Sequence, residues 1–148
     1  MSLNWSVYAV QRLRDYEIKK TAVDNITEQI KVLEQRFTAI RSATTDATPV
    51  QGGNENKREE MLLNNISTRD GLKKNLDIIT REIEITEKAL ETLTEEERLI
   101  LTRFFIEKQK RYVERLCDEL FISPTRLYVK KDAALKKFTM ACCGVVEL

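Results

Sequence analysis

The sequence has no histidine, and only four glycines, two prolines and three cysteines among 148 residues. Without histidine there is no imidazole base, and no Ser-His or Cys-His nucleophile pair. A zinc site needs four suitably spaced Cys or His ligands, and Cys117, Cys142 and Cys143 cannot supply them. Cys142 and Cys143 are adjacent, so a disulfide between them would be strained. Reduced thiols are expected, as in a cytosolic protein. Gly52-Gly53 lies in a polar stretch with no Lys-Ser/Thr after it, which excludes a phosphate-binding loop. The acids Glu59-Glu60 and Glu95 to Glu97 stand at helix starts and read as capping and solvated charges. No enzyme and no cofactor are expected. No apolar run approaches the roughly 20 residues of a membrane span. The opening MSLNWSVYAVQRLRDY has no basic segment before a long apolar run, so no leader is expected. Met1-Ser2-Leu3 reads as an expression remnant. A cytoplasmic location is expected, with no membrane partner.

The chain is 42% apolar and 33% charged, with a formal net charge of +1. That apolar fraction is enough for a core. The scarcity of glycine and proline argues for long helices and an all-α fold. The charge is unevenly spread. Between Lys108 and Lys137 there are nine basic residues against four acidic ones, the local excess expected for phosphate contact.

From Trp5 to about Arg41 the spacing predicts one long helix. Tyr16, Lys19, Val23, Ile26, Ile30, Leu33, Phe37 and Ile40 recur in steps of three and four, a heptad seam with one polar member. Ser42 to about Asn56 (SATTDATPVQGGNEN) is rich in turn formers and has no periodic apolar set, so it reads as a flexible connector. A second long helix is expected from about Lys57 to Leu93. Its seam is Leu72, Leu76, Ile79, Ile83, Thr86, Leu90 and Leu93, extended less regularly upstream by Leu62, Leu63 and Ile66. Gly71 is a weak point where a kink or a packing contact could sit. The two helices are expected to form a long antiparallel hairpin over 1–92, or to seek a second chain as a homodimer.

Residues 93–148 read differently. Thr94 followed by Glu97 makes a capping box, with Glu95 to Glu97 filling the first turn where the helix dipole favours acids. Leu99, Ile100, Phe104 and Phe105 form an apolar stripe that Glu107 to Arg111 ends. A helix is expected from Tyr112 to Leu120, with Val113, Leu116, Cys117 and Leu120 on one face. It breaks at Phe121-Ile122-Ser123-Pro124. Ser123 can cap the next helix and Pro124 suits its first position. That helix, 124–141, places Leu127, Ala134, Leu135 and Phe138 on its inner side, with Lys131 beside them. Thr125, Tyr128, Val129, Asp132 and Lys136 face outward, with Arg126 and Lys137 at the margin. Phe104, Phe105, Phe121 and Phe138 are expected to pack together, and Gly144 to stop the helix. A helix that stops and restarts within about three residues fits the tight turn of a helix-turn-helix.

The run Ile122-Ser123, Leu127, Ala134-Leu135 and Phe138 resembles the DNA-binding region four of sigma factors. The earlier Leu93-Thr94, Glu97-Arg98, Val113 and Leu116 fit the same pattern. The whole chain is similar to phage and prophage transcriptional regulators of the ArpU or RinA type. The resemblance implies a three-helix, sigma-region-four-like domain that docks the helix 124–141 in the major groove of double-stranded DNA. It also implies possible contact with RNA polymerase, and a bacterial host cell as the setting. Thr125, Tyr128 and Val129 would lie nearest the bases. Arg111, Arg126, Lys130, Lys136 and Lys137 would meet phosphates. Sigma domains place charged and amide side chains after the serine, where this chain has Pro124, Thr125, Tyr128 and Val129. It therefore lacks the usual contacts to guanine and adenine. Lys130 stands where the family keeps an apolar residue, Phe121 where it keeps a turn glycine, and Cys117 where it keeps a small alanine. The other class open to this sequence is a coiled-coil interaction, assembly or packaging adaptor with no direct DNA readout.

Overall fold

The structure, a computed structural model, describes residues 4–46 and 53–145. It is all-α, and no strand occurs among the described residues. The helices are α1 (Trp5–Asp46), α2 (Gly53–Glu91), α3 (Glu95–Leu101), α4 (Tyr112–Leu120) and α5 (Pro124–Cys143). A π-helical turn, Thr102–Ile106, lies between α3 and α4. The chain gathers into two compact units, one of residues 1–20 with 81–148, the other of residues 21–80.

Both long helices outrun their expected ends. α1 continues past Arg41 to Asp46, and α2 begins at Gly53 rather than Lys57. The connector expected at 42–56 is therefore helical at both ends, and its centre, 47–52, lies outside the described residues. The reason is cooperativity. Serine, threonine and aspartate disfavour a helix interior by only about half a kcal/mol each, and a helix already nucleated adds one hydrogen bond per residue it fixes. At its other end α2 stops at Glu91, short of the expected Leu93. The Thr92 and Leu93 amides turn back to the Ala89 and Leu90 carbonyls at 3.3 and 3.1 Å. Gly71 does not interrupt α2 and meets no neighbour. The helix runs through it, and a Cβ there would find nothing within 4 Å.

In the unit 21–80 the α1 seam is as expected: Val23, Ile26, Ile30, Leu33, Phe37 and Ile40 are its shielded positions. On α2 the register differs. Leu63 and Ile66 are exposed, and the shielded positions are Leu62, Asn65 and Arg69. Counting from Leu72 toward the N-terminus in steps of three and four lands on 69, 65 and 62 whatever residue stands there. The Asn65 amide donates to the Leu33 carbonyl at 2.9 Å. The Arg69 guanidinium lies over the Phe37 ring, 4.9 Å from its centre. Asn65 Oδ1 and Arg69 Nε are buried without a hydrogen-bond partner.

In the other unit the start of α1 runs antiparallel to the end of α2. Tyr16 donates its hydroxyl proton to Glu87 at 2.8 Å, and Lys19 meets Glu82 at 2.8 Å. Lys19, the polar member of the expected seam, is thus ion-paired across it. Further along, Ala9, Leu13, Ala89, Leu90, Leu93, Leu101, Ala134 and Phe138 form one buried cluster. Leu13 and Phe138 are fully buried. Periodicity does not single out Ala9 and Leu13, because Trp5 to Leu13 offers several apolar stripes and the tertiary cluster with the end of α2, α3 and α5 selects one. Trp5 and Tyr8 meet edge to face at 6.1 Å. Arg12 stacks over the Tyr8 ring at 5.0 Å and donates to its hydroxyl at 3.1 Å.

Leu13→Ala removes fully buried aliphatic volume and should lower unfolding free energy by about 3 kcal/mol, measured by urea denaturation. A second outcome concerns pH. Burial and the hydrogen bond to Glu87 push the Tyr16 phenol up from 10.0 to about 12. The folded state therefore holds that proton more tightly than the unfolded one. Its contribution is complete below pH 10 and is lost as pH rises toward 12. Tyr16→Phe should flatten the stability decline over that window.

Candidate nucleic-acid interface

The segment Thr94 to Gly144 is built from well-defined caps. Thr94 Oγ1 accepts the Glu97 amide at 3.2 Å and donates to the Glu97 carboxylate at 3.0 Å, so the capping box expected here is formed. Ser123 Oγ accepts the Arg126 amide at 3.3 Å, and Pro124 stands at the first position of α5. Gly144 ends α5 in the left-handed region, φ 68°, its amide bonded to the Met140 carbonyl at 2.9 Å. The helix extends past the expected Ala141 to Cys143. The three thiols are free. Burial, then the neighbouring Cys143, push the Cys142 thiol well up from its ordinary range.

α4 spans Tyr112–Leu120, as the periodicity predicts. Its expected face packs inward: Leu116 is buried, with Val113, Cys117 and Leu120 against the same cluster. That cluster joins Ile100, Phe104, Leu116 and Leu127. The π turn was not legible in the sequence. One extra residue in the turn rotates the side chains after it about the helix axis. Phe104 enters this cluster, Ile106 packs against the Leu13–Phe138 cluster, and Phe105 packs against both. α5 is thereby held at two places, Leu127 in one cluster and Ala134 and Phe138 in the other. Thr139 is also fully buried, its hydroxyl donating to the Leu135 carbonyl at 2.7 Å.

Phe121 overturns an expectation. It does not join the other phenylalanines but stands 93% exposed. Its backbone is left-handed, φ 56° and ψ 45°. The Ile122 amide reaches the Cys117 carbonyl at 3.2 Å, closing α4 in a Schellman-type turn that ordinarily takes glycine.

The outward face of α5 carries Thr125, Tyr128, Val129, Asp132 and Lys136, all exposed, with Arg126 exposed beside them. Thr125 to Lys136 spans about 16 Å of helix. The Tyr128 ring packs edge to face on Phe104 at 5.8 Å. Lys131 lies over both rings, at 5.7 Å from Tyr128 and 5.8 Å from Phe104, and pairs with Asp132 at 2.7 Å.

Not every expected phosphate ligand is free. Lys130 pairs with Glu96 at 2.6 Å, and Lys137 with Glu97 at 3.0 Å. Burial alone would raise the Glu97 carboxyl, but the hydrogen bonds from Lys137 and Thr94 outweigh it and hold it below the ordinary range. Arg111, in the left-handed region at φ 59°, pairs with Glu114 at 3.0 Å. Arg126 and Lys136 have no acidic partner among the described residues. The acidic first turn of α3 was legible as a capping device. That it also neutralises two α5 lysines is a tertiary fact, because about 34 to 40 residues separate the partners.

The family model described as "Protein of unknown function (DUF1492)" matches residues 39–139, more than half of the chain. The chain belongs to this family. DUF1492 is a domain often found in phage proteins. Its match in this chain takes in α2 to α4 whole and most of α5, so the outward face of α5 lies within it. No curated protein and no solved structure matches the chain. Among the described residues no group of three or more Cys, Asp or Glu could hold a metal ion. No described helix is long and apolar enough to cross a membrane.

Phe121→Gly should raise stability by about 1 kcal/mol, since a left-handed backbone costs a side chain roughly 1–2 kcal/mol and almost no buried surface is lost. Thermal denaturation of the two proteins measures the difference.

Proposed function

We propose that this DUF1492 chain is a sequence-specific DNA-binding regulator of phage type that lays the start and outer face of α5 in the major groove. The observation that carries the reading is the face itself. α5 is capped at Ser123, anchored by Leu127 and Phe138, and turns outward a row of Thr125, Tyr128, Val129 and Lys136 flanked by Arg126. Thr125 and Val129 suit a thymine methyl, and Tyr128, half exposed, is held on Phe104. Arg126 and Lys136 are the phosphate ligands. Lys130 and Lys137, already neutralised by Glu96 and Glu97, contribute less than the sequence alone suggests. Asp132, also on this face, disfavours phosphate and can accept from a cytosine amino group.

Fluorescence anisotropy with duplex DNA at two salt concentrations tests the reading. Wild-type protein should bind, prefer some sequences, and weaken steeply with salt. Arg126→Ala with Lys136→Ala should lower the salt slope by about two units, one per lost phosphate contact. Glu96→Gln, which frees Lys130, should raise affinity for all sequences alike. Absence of binding at low salt overturns the proposal.

A further inference from the structure

The unit 21–80 has little core of its own. Among its described side chains only Ile30 and Asn65 fall to 8% exposure. The remaining seam residues stay partly open, as two lone helices must leave them. On one flank of this helix pair lies a groove of about 500 Å³ lined by Asn25, Glu28, Gln29, Val32, Arg36 and Leu72 among others. Val32 is 37% exposed there.

The α1 side of this groove has a particular order. Glu28, Val32 and Arg36 succeed one another at steps of four, which places them on a single ridge of the helix. Both charged residues are exposed, and neither has an ion-pair partner among the described residues. Reversing the direction of the helix about Val32 exchanges positions 28 and 36. An antiparallel copy of α1 therefore brings Glu28 to the other copy's Arg36, and Arg36 to the other copy's Glu28. Val32 meets itself on the two-fold axis. Asn25 and the small Ala39, also related by that axis, allow close approach at both ends. A self-complementary patch of this kind is what an isologous dimer contact requires.

We infer that this flank of α1 is a homodimer interface, in which two copies dock their Glu28–Val32–Arg36 ridges antiparallel and join the two helix pairs into a four-helix bundle. The occupant is a second copy rather than another helix because the charges complement their own reversal. The groove beside the ridge, with Leu33 and Leu72 in its lining, is covered in the assembly. The inference is independent of the nucleic-acid reading.

Sedimentation equilibrium of the full chain tests it, with circular dichroism recording helix content. Wild-type protein should self-associate to a dimer. Glu28→Arg sets arginine against arginine at two equivalent places and should weaken the dimer by about tenfold or more. Glu28→Arg combined with Arg36→Glu restores both pairs with reversed polarity and should recover wild-type association. A monomeric wild-type protein overturns the inference. So does a dimer that Glu28→Arg leaves unchanged, or a well-folded double variant that fails to recover.

Discussion

The C-terminal helices depend on the anchoring of α5 at two buried points. Leu127 seats its first turns among Ile100, Phe104 and Leu116, while Ala134 and Phe138 seat its later turns among Leu13, Ala89, Leu90 and Leu101. A helix pinned in two clusters cannot rotate about its own axis without emptying one of them. Full burial of Leu127 and Phe138 therefore sets which residues of α5 face outward. Thr125, Val129 and Lys136 are exposed as a consequence. The π turn at Thr102–Ile106 serves the same end, because it places Phe104 in one cluster and Phe105 against both.

Charge is arranged around that constraint. The acidic first turn of α3 lies against α5, and Glu96 and Glu97 take up Lys130 and Lys137. These partly exposed pairs add little stability. Their larger effect is to reduce the positive field of α5 and to leave Arg126 and Lys136 as its uncompensated cations. A basic segment counted along the sequence is thus more basic than the face it folds into.

The long helices show a different balance. Their three-four spacing persists through residues that are not apolar, so Lys19, Asn65, Arg69 and Thr86 occupy seam positions. Each polar member is engaged across or along the seam: Lys19 by Glu82, Asn65 by the Leu33 carbonyl, Arg69 by the Phe37 ring and Thr86 by the Glu82 carbonyl. Such members lower stability relative to leucine while favouring one register over its alternatives. Asn65 Oδ1 and Arg69 Nε, buried without partners, mark where that selection is least well satisfied.

Much of this architecture was legible in the residues. Helix caps are local chemistry, so Thr94, Ser123-Pro124 and Gly144 announce their helix ends directly. Periodicity is local too, so the seam of α1 and the inner faces of α4 and α5 could be read at sight. What the sequence could not determine are quantities set by distant partners. Leu63 and Ile66 are apolar yet exposed, since the seam register carries over from the helix as a whole. Ala9 and Leu13 became core because the end of α2, α3 and α5 gather around them. Phe121 stands exposed at a left-handed turn position that ordinarily takes glycine. Lys130 and Lys137 are neutralised because tertiary packing brings α3 against α5. Local hydrogen bonding and helical period are written in neighbouring residues, whereas burial and charge compensation belong to pairs that only the folded chain brings together.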